Sequence, residues 1–285
     1  MTEMDSLRSA RICLLEGKSK LYDTGEKKEA ISQLERGLDI LNTMRADSQH
    51  AKKESREIQW QLLYLLGHAN AIEPNSMPER ATECWQQALD VIGAGKKSQR
   101  SKLSELDREA AVQILSHLGD AFLGRKRPDE ALKYYEEAVG FNTANQQAAI
   151  WIQDMLGSTY LALGRHRDAM KALQTVIAMD PDFQYADAKS VYYHLSKCCY
   201  EQDEYIEALQ YGLEALEHIN PEMDRFPQTY LIHQGLGYIH LAMASYENAS
   251  RHFRESLRFA PLDAPERAEV IRNLNAVEKK LAQTE

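Results

Sequence analysis

Residues 115–138 read LSHLGDAFLGRKRPDEALKYYEEA, and this stretch contains the pattern that decides the fold. Its apolar residues, together with Val112 just before it, recur three and four positions apart, which is the spacing of an amphipathic helix. Pro128 stands in front of two acidic residues, a combination that favours the first turn of a new helix. The stretch therefore predicts two helices joined by a short turn at residues 125–127.

The same arrangement returns three more times toward the C-terminus. In each copy a small residue lies twelve positions before an alanine. The four pairs are Gly119 with Ala131, Gly157 with Ala169, Ser196 with Ala208, and Gly237 with Ala249. Two antiparallel helices approach to about 8–10 Å only where small side chains occupy the crossing point. The repeated spacing therefore predicts four consecutive helix pairs.

This pattern resembles the tetratricopeptide repeat, a helix–turn–helix unit marked by Leu-Gly-x-x-Tyr, then Ala-x-x-x-Phe, and a late proline. A weaker copy has Leu66-Gly67 followed by Ala81 and Trp85. The weakest copy comes first, lacks a small residue at its first crossing position, and depends on Leu21, Gly25, Ala30, Leu34 and Leu38. The resemblance covers about residues 5–262 and is clearest from residue 112.

The resemblance implies an all-α fold, a right-handed α-solenoid of about six helix pairs followed by a C-terminal capping helix. Residues 1–110 would hold two degenerate pairs and a basic loop, residues 111–262 the four clear repeats, and residues 263–285 the capping helix, all in one continuous domain. The key alanines are 38 to 51 residues apart rather than the usual 34, so longer helices or connections are expected. In total we expect about thirteen helices.

The composition excludes several classes of partner. There are 34 lysines and arginines against 43 aspartates and glutamates, a formal net charge of −9, which is a poor match for nucleic acid or an anionic membrane. No apolar run approaches the roughly 18 residues of a membrane span and no secretory signal is visible, so we expect a cytoplasmic protein with no membrane partner. Residues 186–227 hold three basic and nine acidic residues, which form either a solvated convex face or a docking place for a basic partner.

Candidate chemical motifs do not assemble into a catalytic or metal site. His166-Arg167-Asp168 has the letters of a kinase catalytic loop, but no glycine-rich loop or Asp-Phe-Gly accompanies it. His194 and Cys198 are four apart, yet no second pair stands at zinc-ligand spacing, and Cys199 occupies a packing position of the repeat. We therefore expect no enzymatic activity, no cofactor and no metal.

The resemblance also implies where a partner would bind. In tetratricopeptide proteins the first helix of each pair lines a concave groove that usually holds an extended peptide or a partner helix. The matching positions here are Tyr64, His68, Gln113, Ser116, Asp120, Trp151, Asp154, Ser158, Tyr193, Lys197, Tyr200, Gln234 and Tyr238. Mixed polar and aromatic side chains are typical of a recognition surface, although Trp151 and Tyr193 would equally well pack between repeats. Only Lys197 matches the lysine and asparagine positions of a chaperone carboxylate clamp, which argues against that subtype.

We therefore predict a non-catalytic interaction scaffold or adaptor whose groove binds a peptide or helix of another protein. Alternatives remain open at this point. The chain would be a regulatory sensor if a bound peptide changed the superhelical pitch, or a homo-oligomeric assembly factor if an end repeat associated with itself. RNA binding is the least favoured alternative, because the chain is acidic and the predicted groove residues are unsuitable for binding phosphates.

Overall fold

A computed structural model describes residues 2–72, 76–95, 100, 102–219 and 228–283. Within these residues the chain forms thirteen α-helices and no strand. The helices are α1 (Glu3–Ser19), α2 (Lys27–Thr43), α3 (Gln49–Ala71), α4 (Pro78–Ile92), α5 (Glu105–Gly124), α6 (Pro128–Val139), α7 (Gln146–Ala162), α8 (His166–Met179), α9 (Ala188–Tyr200), α10 (Tyr205–Glu217), α11 (Gln228–Ala242), α12 (Tyr246–Phe259) and α13 (Arg267–Leu281). Six consecutive helix pairs precede α13, so the prediction of an all-α helix-pair fold with a terminal helix is confirmed.

The chain divides into two compact units, Met1–Ala149 and Ile150–Glu285, which are described separately. The predicted boundaries after residues 110 and 262 mark changes in the sequence pattern. Those boundaries, and the single continuous domain, stay predictions.

Several helices begin at residues that favour a helix start, and the predicted start at Pro128 is among them. Pro128 is the first residue of α6 and Pro78 the first of α4, positions where the missing backbone N–H has no intrahelical acceptor to lose. Ser104 caps α5, because its Oγ accepts a hydrogen bond from the Asp107 N–H at 3.1 Å. The Asp107 carboxylate pairs with Arg56 at 2.8 Å.

In the first unit, aromatic rings of the second helices fill the space that glycines leave on the first helices. A Cβ added to Gly67 would lie 2.2 Å from Nε1 of Trp85, and one added to Gly119 would lie 2.5 Å from Cε1 of Tyr135. Both rings are buried. The predicted small residues therefore mark the helix crossings.

The first helix pair follows the same rule with a residue that the sequence pattern did not reveal. A Cβ added to Gly17 would lie 2.6 Å from Cγ and Cδ2 of Leu34, a fully buried side chain. Gly17 stands thirteen positions before Ala30, close to the spacing in the later pairs. The expectation that this repeat lacks a small crossing residue is therefore wrong. Gly25 instead ends a π-helical turn, Lys20–Thr24, with a φ of 71°.

Substitution of Gly17 by alanine is expected to destabilise the first unit by about 1–3 kcal/mol, the usual cost of overpacking a core. Gly124→Ala is the matched control, because an added Cβ there meets no atom within 4 Å, and it should be neutral or slightly stabilising. Urea unfolding followed by circular dichroism measures both variants. Equal stability of the two would show that Gly17 is not a crossing residue.

The second unit repeats this packing with one polar exception. A Cβ added to Gly157 would lie 2.7 Å from Leu173, so the α7/α8 crossing is closed by an aliphatic side chain. At the α9/α10 crossing a serine replaces the glycine, and the Ser196 Oγ donates a hydrogen bond of 2.7 Å to the carbonyl of Ala208. The buried hydroxyl is therefore satisfied without opening the helix pair.

Candidate functional site

Five of the predicted groove residues come together in the second unit. They line a cavity of about 430 Å³ between α9, α11 and α13, within the roughly 300–1,000 Å³ typical of ligand pockets. Tyr193, Lys197 and Tyr200 come from α9, and Gln234 and Tyr238 come from α11. Steps of three and four residues place the members from each helix on one face of that helix.

The third wall of this cavity contains two residues that were not predicted. Glu266 directly precedes α13 and Glu269 lies in its first turn. The step from Glu266 to Glu269 repeats the step from Leu231 to Gln234 on α11. Treating α13 as a further first helix, rather than only as a cap, would have found both glutamates.

Neighbouring hydroxyls act on both of these glutamates. Nε2 of Gln234 donates to Tyr238 Oη at 3.3 Å, and Tyr238 Oη donates to Oε1 of Glu269 at 2.9 Å. Oε2 of Glu266 is buried, and the Glu266 carboxylate interacts with the hydroxyl of Tyr230. The cavity is therefore suited to a ligand that donates hydrogen bonds.

Asp154 on α7 is a carboxylate that lacks a donor. Its Oδ1 is buried and accepts no hydrogen bond within the described part of the chain. Burial, and then the negative charge of Asp187, raise the pKa of Asp154 to about 6. The other predicted residues of α7, Trp151 and Ser158, are half-buried. At pH 7 this helix therefore carries a charged carboxylate with one unsatisfied oxygen.

In the first unit, Tyr64 and His68 belong to an aromatic cluster with Trp85 and His117. The Nε2 atoms of His68 and His117 are 3.1 Å apart, and Tyr64 Oη lies 3.1 Å from the same nitrogen of His117. Trp85 stacks on His117 with ring centroids 5.4 Å apart. Burial, and then the neighbouring His68, lower the pKa of His117 to about 4, so this histidine is neutral at pH 7. The predicted groove residues here contact one another and the unit's own side chains.

The three predicted residues of α5 lie in different surroundings. Burial raises the pKa of Asp120, although its carboxylate accepts a hydrogen bond of 2.7 Å from Tyr135. Ser116 is buried, and its hydroxyl donates to the carbonyl of Val112 at 2.8 Å. Gln113 is exposed and lines a separate cavity of about 460 Å³ between α3 and α5. Of the three, Gln113 is the most accessible to a partner.

The residues of the candidate catalytic and metal motifs are buried or paired with neighbouring side chains. Burial is the main cause that raises the pKa of Cys198 to about 12 and of Cys199 to about 11, so both thiols stay protonated at pH 7. Arg165 pairs with Asp168 of the kinase-like triplet at 2.7 Å. Across the described ranges, no group of three or more His, Cys, Asp or Glu side chains is arranged to hold a metal ion. Among the described helices, none combines the length and apolar character that crossing a membrane requires.

The predicted basic loop, which contains Lys96, Lys97, Arg100 and Lys102, is described only in part. Lys96 and Lys97 lie outside the described residues. Arg100, which follows them, pairs with Glu137 and lies over the ring of Phe141 at 4.8 Å from its centroid. The Arg100 side chain is therefore paired with residues at and just after the C-terminal end of α6.

Helix pairs that cross at small residues, with a cavity lined by their first helices, define an all-α repeat protein. Residues 112–182 and 155–224 match two family models, each described as a tetratricopeptide repeat. Residues 112–224 therefore consist of tetratricopeptide repeats. No curated protein matches its sequence.

Solved structures share this fold at low sequence identity. PilF of Pseudomonas aeruginosa aligns with a TM-score of 0.61 and 16% identity over 93% of this chain and 97% of its own. The apo form of RapI gives 0.60 and 14% over 96% and 72%, and a chain of the APC/C hetero-tetramer Cut9–Hcn1 gives 0.57 and 13% over 94% and 43%. Identity at this level shows similarity of fold alone.

Proposed function

We propose that this protein is a non-catalytic scaffold that binds a peptide or helix of another protein in the groove formed by α9, α11 and α13. The observation that carries the proposal is the convergence of five predicted groove residues on one cavity. Tetratricopeptide domains generally bind other proteins, which agrees with this function.

The chemistry of the cavity supports recognition. Tyr193, Tyr200 and Tyr238 supply large rings with polar tips, the kind of side chain that dominates binding energy at protein interfaces. Gln234 and Lys197 supply hydrogen-bond donors beside them. We include Trp151, Asp154 and Ser158 in the proposed surface. On α7 they occupy the positions that the cavity residues Leu231, Gln234 and Tyr238 occupy on α11. Tyr64, His68, Gln113, Ser116 and Asp120 of the first unit stay predicted partner-binding residues, and the proposal does not depend on them.

The double variant Lys197→Glu/Tyr200→Ala is expected to abolish partner capture while keeping the fold, because Lys197 is exposed and Tyr200 is half-buried. Lys171→Glu/Tyr185→Ala is the matched control, since it makes the same changes at exposed residues outside the cavity. Affinity capture from a lysate of the source organism, followed by mass spectrometry, compares both with the wild type. Circular dichroism checks that each variant is folded.

Loss of the same captured proteins from the groove variant alone supports the proposal. Equal capture by the wild type and the groove variant contradicts it. Sedimentation at several protein concentrations tests the homo-oligomer alternative directly. Small-angle scattering with a captured partner segment tests the sensor alternative, because a plain scaffold should not compact.

A further inference from the structure

The groove cavity has an unbalanced charge. Glu201, Glu266 and Glu269 line it, and Lys197 is the one basic residue among the lining side chains that the structure describes. The lining is therefore negative at pH 7 and attracts a cation.

The rings beside these carboxylates narrow the choice of cation. Burial is the main cause that raises the pKa of Tyr193 to about 12, so this side chain is neutral at pH 7, and Tyr200 and Tyr238 line the same cavity. A guanidinium is planar, stacks on aromatic rings and donates paired hydrogen bonds to carboxylates. An ammonium is a compact, strongly hydrated charge without that geometry. The combination of carboxylates and tyrosine rings therefore favours arginine over lysine.

We propose that the cavity between α9, α11 and α13 binds an arginine side chain from a linear segment of the partner protein. The guanidinium donates to Glu266 and Glu269, and the tyrosine rings pack beside it. This inference rests on the proposed function and adds the chemical class of the residue that anchors the partner. The volume of about 430 Å³ leaves room for the peptide backbone next to that side chain.

Selection of displayed random 12-residue peptides on the full chain tests the inference without knowledge of the partner. Arginine should be enriched at one position of the selected peptides. Replacing that arginine with citrulline, which keeps the shape and removes the charge, should weaken binding at least about tenfold in calorimetric titration. Replacement with lysine should give an intermediate loss.

The protein side of the contact is tested with Glu266→Gln/Glu269→Gln, which keeps the shape of both side chains and removes two negative charges. This variant should bind the selected arginine peptide at least about tenfold more weakly than the wild type. Glu247→Gln/Glu278→Gln is the matched control, because it makes the same charge change outside the cavity lining. The control variant should bind the peptide as the wild type does.

The outcomes separate this inference from the proposed function. Selected peptides without enriched arginine, whose binding is lost in Lys197→Glu/Tyr200→Ala, would overturn the arginine anchor and leave the proposed function standing. The anchor is also overturned if citrulline substitution or Glu266→Gln/Glu269→Gln leaves affinity unchanged. Failure to select any peptide that depends on the groove residues would contradict both.

Discussion

Truncation of Tyr135 to alanine is expected to lower the unfolding free energy of the first unit by about 3–5 kcal/mol, the usual cost of removing a large buried ring. The ring is fully buried and fills the space left by Gly119. Tyr135→Phe should cost less, about 1–3 kcal/mol, because it keeps the ring and removes the hydroxyl that donates to Asp120. That bond measures 2.7 Å.

The neighbouring Tyr134→Ala serves as the control for this experiment. Tyr134 is half-buried and stacks on Phe122 with centroids 5.3 Å apart, so its loss should cost less than about 2 kcal/mol. Urea unfolding followed by circular dichroism gives the three free energies. If Tyr135→Ala costs no more than Tyr134→Ala, Tyr135 does not hold the α5/α6 crossing together.

Replacement of Asp154 with asparagine is expected to raise the unfolding free energy at pH 7 by about 3 kcal/mol, because each unit of pKa shift corresponds to about 1.4 kcal/mol. Ionisation of Asp154 destabilises the native protein, since burial and the charge of Asp187 raise its pKa from 3.8 to about 6. The unfolded chain ionises the same carboxyl in water at no such cost. A neutral amide of similar shape removes the difference.

The gain should depend on pH in a defined direction. Well below pH 3.8 the carboxyl is protonated in both states, and the charge-related gain disappears. Between pH 3.8 and about 6 the native state holds the proton more tightly than the unfolded state, so the wild type loses stability as pH rises. Above about pH 6 the gain should be constant.

Asp182→Asn is the control, because Asp182 is exposed and its neutralisation should change stability by less than about 0.5 kcal/mol. Urea unfolding at pH 4.5 and 7.5 measures both variants against the wild type. A wild type more stable than Asp154→Asn at pH 7.5 would contradict the prediction. Stabilisation together with weaker partner capture would show that Asp154 is kept for binding at the expense of stability.

The sequence was sufficient to place five residues in one cavity because helical periodicity decides which side chains share a face. Tyr193, Lys197 and Tyr200 follow that rule on α9. The same rule does not predict the cavity wall formed by Glu266 and Glu269, because these residues face the cavity only once α13 packs beside α11. Nor does it show that Tyr64 and His68 contact one another and the ring of His117, since those contacts are settled in three dimensions.

By itself, the sequence determined the helix pairs of this protein. The small residues and the alanines twelve positions later act locally, over one helix, one turn and the next helix, and that range is visible in a linear pattern. The tertiary structure alone decided that Gly17 is the crossing residue of the first pair, that α13 completes the cavity, and that Asp154 has a raised pKa. These properties depend on which distant side chains come into contact and on how much water they exclude, and neither is encoded in spacing along the chain.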